Sequence, residues 1–244
     1  MSENENKNPQ RVLGVFAHPD DPEFFAGATF AKWAAQGAAI MFVVATRGDK
    51  GSADPEMTSQ KLVAIREQEE RNAASVLGVQ EVVFLDHKDG ELFPTLDLRR
   101  DITRMIRLWK PDTVVTLDPT VFWYGTRGIN HPDHRAIGAA TLEAVFPAAR
   151  DRLNFIELER DEGLTPHNAL NVYIAGAAEP NEIIDVTDYV DKKVESLREH
   201  VSQIGNPEEM AERVKGRMLD PDAPPEDAAT PRYIEQFRVI RLRR

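Results

Sequence analysis

The sequence predicts an α/β fold, a Rossmann-like three-layer sandwich with a mostly parallel sheet, and three observations lead there. Short continuous apolar runs recur at 11–17 (RVLGVFA), 39–46 (AIMFVVAT), 82–85 (VVFL), 113–117 (TVVTL) and 171–176 (NVYIAG). Runs apolar on both sides of the pleat belong to strands buried on both faces, as in parallel sheets. Segments of helical spacing lie between them, at 24–36, 59–77, 97–109 and 132–148, and such alternation builds a sheet with helices on both faces. The polar clusters also follow strands directly: His18 to Glu23, Thr46 to Gly51, Asp86 to Asp89, and Asp118 to His134. In open α/β sheets the ligand crevice lies beyond the carboxyl ends of the strands.

Each element carries its own boundary signal. Gly37 stops the first helix, Gly78 closes the second, Lys110-Pro111 ends the third, and Pro132 occupies the first position of the fourth. The segment 183–186 (IIDV) reads as a short extra strand and 187–204 as a late helix. RVIRL, near the end of the chain, reads as an edge strand. The stretch 219–231, rich in Pro and Asp, reads as a loop or lid. The expected organisation is a flexible arm over 1–10 and a single α/β domain over 11–244, loop-rich from 205 onward.

Composition narrows the function. The chain has 244 residues, 41% hydrophobic and 29% charged, which suits one domain with a real core. A formal net charge of −11 argues against nucleic acid or an anionic membrane as partner and favours a small-molecule substrate. There is no cysteine, so disulfides, thiolate metal sites and cysteine nucleophiles are excluded, and any metal is held by His, Asp or Glu. No apolar run approaches the ~20 residues of a membrane-spanning helix. The N-terminus, MSENENKNPQ, has no signal-peptide core, which makes the cytoplasm the default compartment.

Two clusters carry chemistry. In His18-Pro19-Asp20-Asp21-Pro22-Glu23 the prolines restrict the backbone, and His18 and Asp21, three apart, can be aimed at one point by a turn. Asp20 then points elsewhere. Alone, this cluster also reads as an Asx-type turn opening a helix. In His131-Pro132-Asp133-His134 the two histidines lie one helical turn apart, so one imidazole can bind a metal while the other faces a substrate. Alone, it also reads as a helix cap with two solvated histidines. Together, on the ligand side of the sheet, two His and one Asp make the three-ligand open site of a catalytic zinc.

At these residues the chain resembles the PIG-L/LmbE-like zinc N-deacetylases, which share AHPDD near the N-terminus and HPDH in mid-chain. The resemblance extends through Thr46-Arg47-Gly48, Ile65-Arg66-Glu67, Ala73-Ala74, Leu77-Gly78 and Asp89-Gly90, and covers residues 11–150. The segment IIDVTDYVDKKVESLREHVSQ is similar more loosely. The resemblance implies that His18, Asp21 and His134 are the metal ligands, with Zn2+ as cofactor. It implies Asp20 as general base and His131 as the group that stabilises the oxyanion, protonated, or helps protonate the leaving amine. Arg66 matches a substrate-contacting arginine; a solvated helix arginine paired with a neighbouring Glu is the equal alternative. The implied reaction is deacetylation of an N-acetylglucosamine-type substrate by a zinc-activated water, and a homo-oligomer is compatible with it.

Other residues receive lesser readings. Glu23 either supports the site or simply begins the helix. Arg47 and Asp49 sit in a Gly-containing loop that either touches substrate or, the preferred reading, is a plain turn. Trp123 and Tyr124 either stack on a sugar or anchor their loop. His87 reads as pocket rim, and His167 and His200 as structural or solvated. The competing functions are a zinc amidase on a non-sugar amide and a catalytically silent carbohydrate- or metal-binding protein. A nucleotide-binding protein fits poorly, because no G-x-G-x-x-G opens the first helix and the HPDDPE carboxylates repel phosphate.

Overall fold

A computed structural model describes residues 8–126, 128–223 and 231–243. Strands β1 (Arg11–Phe16), β2 (Ala39–Thr46), β3 (Glu81–His87), β4 (Thr113–Leu117) and β7 (Asn171–Ala175) are the five predicted runs. With β8 (Glu182–Asp185) and β9 (Ile234–Arg241) they form one seven-stranded sheet in the order β3-β2-β1-β4-β7-β9-β8. The pairs from β3 to β7 are parallel, and β7–β9 and β9–β8 are antiparallel. Strand order reverses between β1 and β4, so the loops leaving those strands part and leave a crevice.

Helices α1 (Asp21–Ala35), α2 (Ser59–Val76) and α6 (Val190–Arg198) pack together on one side of the sheet. Helices α3 (Leu96–Trp109) and α4 (Pro132–Glu143) cover the other. Burial on both faces explains why β2 and β4 read as continuous apolar runs. A two-stranded ribbon, β5 (Trp123–Tyr124) with β6 (Gly128–Ile129), stands on the loop before α4. A short helix, α5 (Ile156–Arg160), precedes β7. No helix among the described residues is long and apolar enough to cross a membrane.

Three expectations are corrected. RVIRL is no edge strand: β9 lies inside the sheet between β7 and β8, and β8 is the edge. The region after 205 is less loop-rich than expected, because α7 (Pro207–Met218) packs its Met210, Val214 and Met218 on α6. Its start was legible: Asn206 caps the amides of Glu208 and Glu209, and Pro207 occupies the first helical position. The fourth helix ends at Glu143, and 144–148 is a π-helical turn where Phe146 leaves helical geometry before Pro147. Residues 1–7 of the expected arm and 224–230 of the expected lid lie outside the described residues.

Two devices seat the helices that carry the site. Helix α1 breaks at Ala26 (φ −147°, ψ 16°), which frees backbone groups inside the protein. The Glu235 carboxylate accepts the amides of Ala28 (3.3 Å) and Thr29 (2.8 Å). Lys193 donates to the Phe24 carbonyl (2.8 Å) and to Glu235 (2.7 Å). Helix α4 lies directly against the end of β4, where a Cβ on Gly138 would stand 2.3 Å from the Leu117 carbonyl oxygen. Only glycine permits that approach, and it brings the start of α4 over the crevice.

Candidate active site

The crevice gathers the two predicted clusters. His18 follows β1, Asp21 opens α1, and His131 and His134 open α4. One donor atom each from His18, Asp21 and His134 lie within 4.8 Å of one another. Asp21 Oδ2 accepts the amides of Ala17 (3.2 Å) and His18 (2.9 Å). Its other oxygen, Oδ1, stands 3.0 Å from His134 Nε2. His134 Nδ1 meets the side-chain carbonyl of Asn130 at 2.9 Å. That contact puts the proton on Nδ1 and leaves the Nε2 lone pair for a metal.

The electrostatics favour a cation here. Burial opposes charge on His18, yet the carboxylates of Asp21, Asp133 and Asp89 outweigh it and raise its pKa well above the ordinary value. Burial also works against the Asp21 carboxylate, but His134 and His18 hold its pKa well below the usual range. Imidazole with carboxylate suits a first-row divalent ion.

Asp20 occupies an unusual position. It stands at the N-cap of α1 with φ 102°, in the left-handed region, and its side chain makes no cap. A non-glycine residue held so costs about 1–3 kcal/mol. An aspartate that declines to cap forgoes about 1 kcal/mol more. The turn-and-cap reading of HPDD therefore fails. Instead, the Asp20 carboxylate lies 3.3 Å from Arg66 Nη2, and its amide donates to Glu70 Oε2 at 3.0 Å. Burial and the neighbouring Asp21 charge push its pKa up to about 6, against the pull of Arg66.

Arg66 is 4% exposed, which removes the solvated-arginine alternative. It donates to the carbonyls of Pro19 (2.6 Å) and Gly48 (3.3 Å) as well as to Asp20. Gly48, at φ 64°, makes room for it: a Cβ there would fall 2.3 Å from Arg66 Nη1. One guanidinium thus joins the loops after β1 and β2.

His131 caps α4, its Nδ1 accepting the Asp133 amide at 3.2 Å. Its ring stands edge-on to His18 at 4.6 Å. Burial lowers its pKa, and the charge of His18 adds to that. With Nδ1 accepting the Asp133 amide, the neutral ring carries its proton on Nε2.

The chain belongs to the family of GlcNAc-PI de-N-acetylases, PIG-L, whose model matches residues 13–145. Diacetylchitobiose deacetylase of Thermococcus kodakarensis is 34% identical over 194 residues, covering 80% of this chain and 70% of that one. A probable N-acetyl-alpha-D-glucosaminyl L-malate deacetylase of Bacillus anthracis is 31% identical over 203 residues, covering 81% and 83%. Among solved structures, N,N'-diacetylchitobiose deacetylase from Pyrococcus horikoshii, in complex with its inhibitor, superposes with a TM-score of 0.84 at 30% identity. That match covers 98% of this chain and 86% of the other. The family segment spans β1 through α4, the part of the chain that builds the crevice.

Several supporting residues escaped the sequence reading. Asp133, fully buried, accepts the amides of Gly90 (2.7 Å) and Leu92 (3.2 Å) and lies 3.2 Å from His18 Nε2. Asp89 approaches the same nitrogen at 3.1 Å. Asn130 bridges Tyr124 and His134, so Tyr124 anchors its loop, while Trp123 remains exposed. Asp133 sits inside HPDH, and Asn130 directly precedes it. Their adjacency was a usable signal, but nothing local says that they face inward. Arg47 is more than a turn residue, pairing with Glu67 and Asp86. His87 pairs with Asp101, His167 with the Pro111 carbonyl. Glu23 and His200, far from being solvated, are fully buried.

Proposed function

We propose that this chain is a zinc-dependent N-deacetylase acting on an N-acetylglucosamine-type sugar. What carries the reading is the convergence of His18, Asp21 and His134 beside Asp20, in a family that includes relatives named as deacetylases of N-acetylated sugars.

His18, Asp21 and His134 are the ligands that fit the metal. Asp133 has both carboxylate oxygens occupied by backbone amides, whereas Asp21 keeps Oδ1 free beside His134 Nε2. The ion supplies Lewis acidity, which makes water a nucleophile near neutral pH and polarises the amide carbonyl. Asp20 takes the proton from the attacking water. Arg66 keeps the Asp20 carboxylate aimed into the crevice. His131, neutral and with its proton on Nε2, donates to the oxygen that gains charge as the carbonyl becomes tetrahedral. Asp20 then returns the proton to the departing nitrogen, and amine and acetic acid leave, ionising in water to ammonium and acetate. No covalent intermediate with the protein is needed.

The test is amine release from N-acetylglucosamine, N,N'-diacetylchitobiose and a non-sugar acetamide, by zinc-loaded protein, chelated protein and Asp20→Ala. Release from a sugar that requires metal and is lost in Asp20→Ala with metal content kept supports the reading. Release only from the non-sugar amide moves the assignment to a general amidase. Tight metal binding with no release from any amide makes the chain a binding protein.

A further inference from the structure

Beneath the loop that carries His18 to Asp21 lies a second polar cluster with no part in the chemistry above. Glu23 on α1, Glu70 on α2 and His200 after α6 are each 0% exposed. His200 Nε2 stands 3.4 Å from Glu23 Oε2 and 4.0 Å from Glu70 Oε2. Both oxygens of Glu23, Oε1 of Glu70 and both ring nitrogens of His200 lack a hydrogen-bond partner among the described residues. Buried polar groups are normally satisfied, so a group of orphans demands a reason. One atom of the cluster is engaged: Glu70 Oε2 accepts the Asp20 amide at 3.0 Å, and Asp20 is the residue held at φ 102°.

We propose that Glu70 is a positioning residue for the reaction: it grips the Asp20 amide and so holds the left-handed turn that aims the Asp20 carboxyl at Arg66, while His200 and Glu23 confine Glu70 from behind. This rests on the reading of Asp20 as the base.

The turn that carries His200 is fastened on purpose-built contacts. The amide and hydroxyl of Ser202 both donate to Glu69, each at 2.7 Å. Gln203 Nε2 donates to the Gly51 carbonyl at 3.1 Å, and a Cβ on Gly51 would stand 2.9 Å from Arg66 Nη1. Residues 200–203 therefore lie beside both partners of the Asp20–Arg66 pair: His200 stands 4.0 Å from Glu70, and Gln203 holds the Gly51 backbone where it passes close to Arg66. Neighbouring acids on α2 divide the work: Glu69 holds the turn, and Glu70 holds Asp20. An apolar side chain of similar volume would fill the same space without leaving buried polar atoms unpaired. The cluster is kept for where it puts Asp20.

The test compares Glu70→Met, which keeps the volume and removes both oxygens, with Glu70→Gln, which keeps an acceptor. In zinc-loaded protein, kcat, KM, metal content and Tm are measured, together with hydrogen exchange at the Asp20 amide by NMR. Glu70→Met is expected to lose about tenfold to a hundredfold in kcat, the scale of a small misplacement of a reacting group. Its KM and metal content stay, its Tm does not fall, and its Asp20 amide exchanges faster; Glu70→Gln recovers both kcat and protection. An unchanged kcat or an unchanged Asp20 amide in Glu70→Met overturns the proposal. So does a loss of kcat in both variants that tracks Tm or folding. So does a second tightly bound metal per chain that is lost in Glu70→Gln, which would make the cluster a cation site. If the wild-type protein releases no amine from any amide, the deacetylase reading fails, while the exchange of the Asp20 amide still decides the contact.

Discussion

Helix α1 touches two buried polar clusters, and they are built in opposite ways. At its break, Lys193 and Glu235 are both nearly inaccessible, and each is matched: two acceptors for the ammonium, the ammonium and two amides for the carboxylate. At its start, Glu23, Glu70 and His200 are as deeply buried, yet five of their polar atoms have no hydrogen-bond partner among the described residues. The first cluster closes its account of donors and acceptors, and it locks a kinked helix onto β9 and α6. The second leaves groups unsatisfied, at a cost in stability, and lies directly under the strained residue of the crevice. A matched buried ion pair marks architecture here, and buried polar groups left without partners mark the ground beneath the site.

The largest effect expected separates site from support. Asp20→Asn should lower kcat by about 10² to 10⁴, the usual contribution of a general base, with metal retained and Tm little changed. Metal loss in step with activity would show that Asp20 is instead part of the ion's binding site. Next, Glu235→Ala strands the Lys193 ammonium and two amides in the core. Breaking one partner of a buried pair costs about 3–5 kcal/mol. For a domain of this size that is a Tm decrease on the order of 10 °C, with kcat per folded molecule unchanged. Thermal unfolding that barely moves would mean that the satisfied cluster is no lock.

Asn130→Ala should act between these two. It frees the His134 ring without touching a proposed ligand, and losing such an orienting contact typically weakens metal affinity or activity about 10- to 100-fold. A competition titration with a chelator reads it, and an unchanged affinity would show that the helix alone orients His134. The smallest effect is in pH. Burial first, and then the charge of Glu23, hold the Glu70 carboxyl well above its ordinary value of 4.5, with His200 and the hydrogen bond from the Asp20 amide opposing and the Asp20 charge adding. The folded state thus binds this proton more tightly than the unfolded chain does. The stabilisation is complete below pH 4.5 and is lost as pH rises through the folded value. Unfolding free energy should therefore fall with pH over that window, by at most about 1.4 kcal/mol per pH unit from this one proton. Urea unfolding of Glu70→Gln at pH 5 and pH 8 should show a shallower fall; identical slopes would refute the assignment.

The sheet was legible because its cause is local. AIMFVVAT and TVVTL are apolar on both sides of the pleat, and that alone demands cover on both faces. The misreading of RVIRL has the same root. Its alternation of apolar and basic residues describes a half-exposed strand and says nothing about which neighbours it pairs with. The convergence of His18, Asp21 and His134 was legible because their spacing within a turn limits where they can point. Arg66 was only half legible. A helix arginine next to Glu67 looks like a surface pair, and only the approach of Gly48 and Pro19 turns it inward.

Local sequence settles which segments become strands and helices, in what order, and which donor groups follow which strand, because periodicity and turn chemistry act over a few residues. The partnerships that make the crevice work belong to the folded chain. His18 meets Asp133 across 115 positions, Asp20 meets Glu70 across 50, and Glu69 meets Ser202 across 133. Whether a histidine or glutamate at such a position is solvated or sealed depends on what the sheet and its helices bring over it. Burial is what turns ordinary carboxylates and imidazoles into a site, and burial is set by packing across the whole chain.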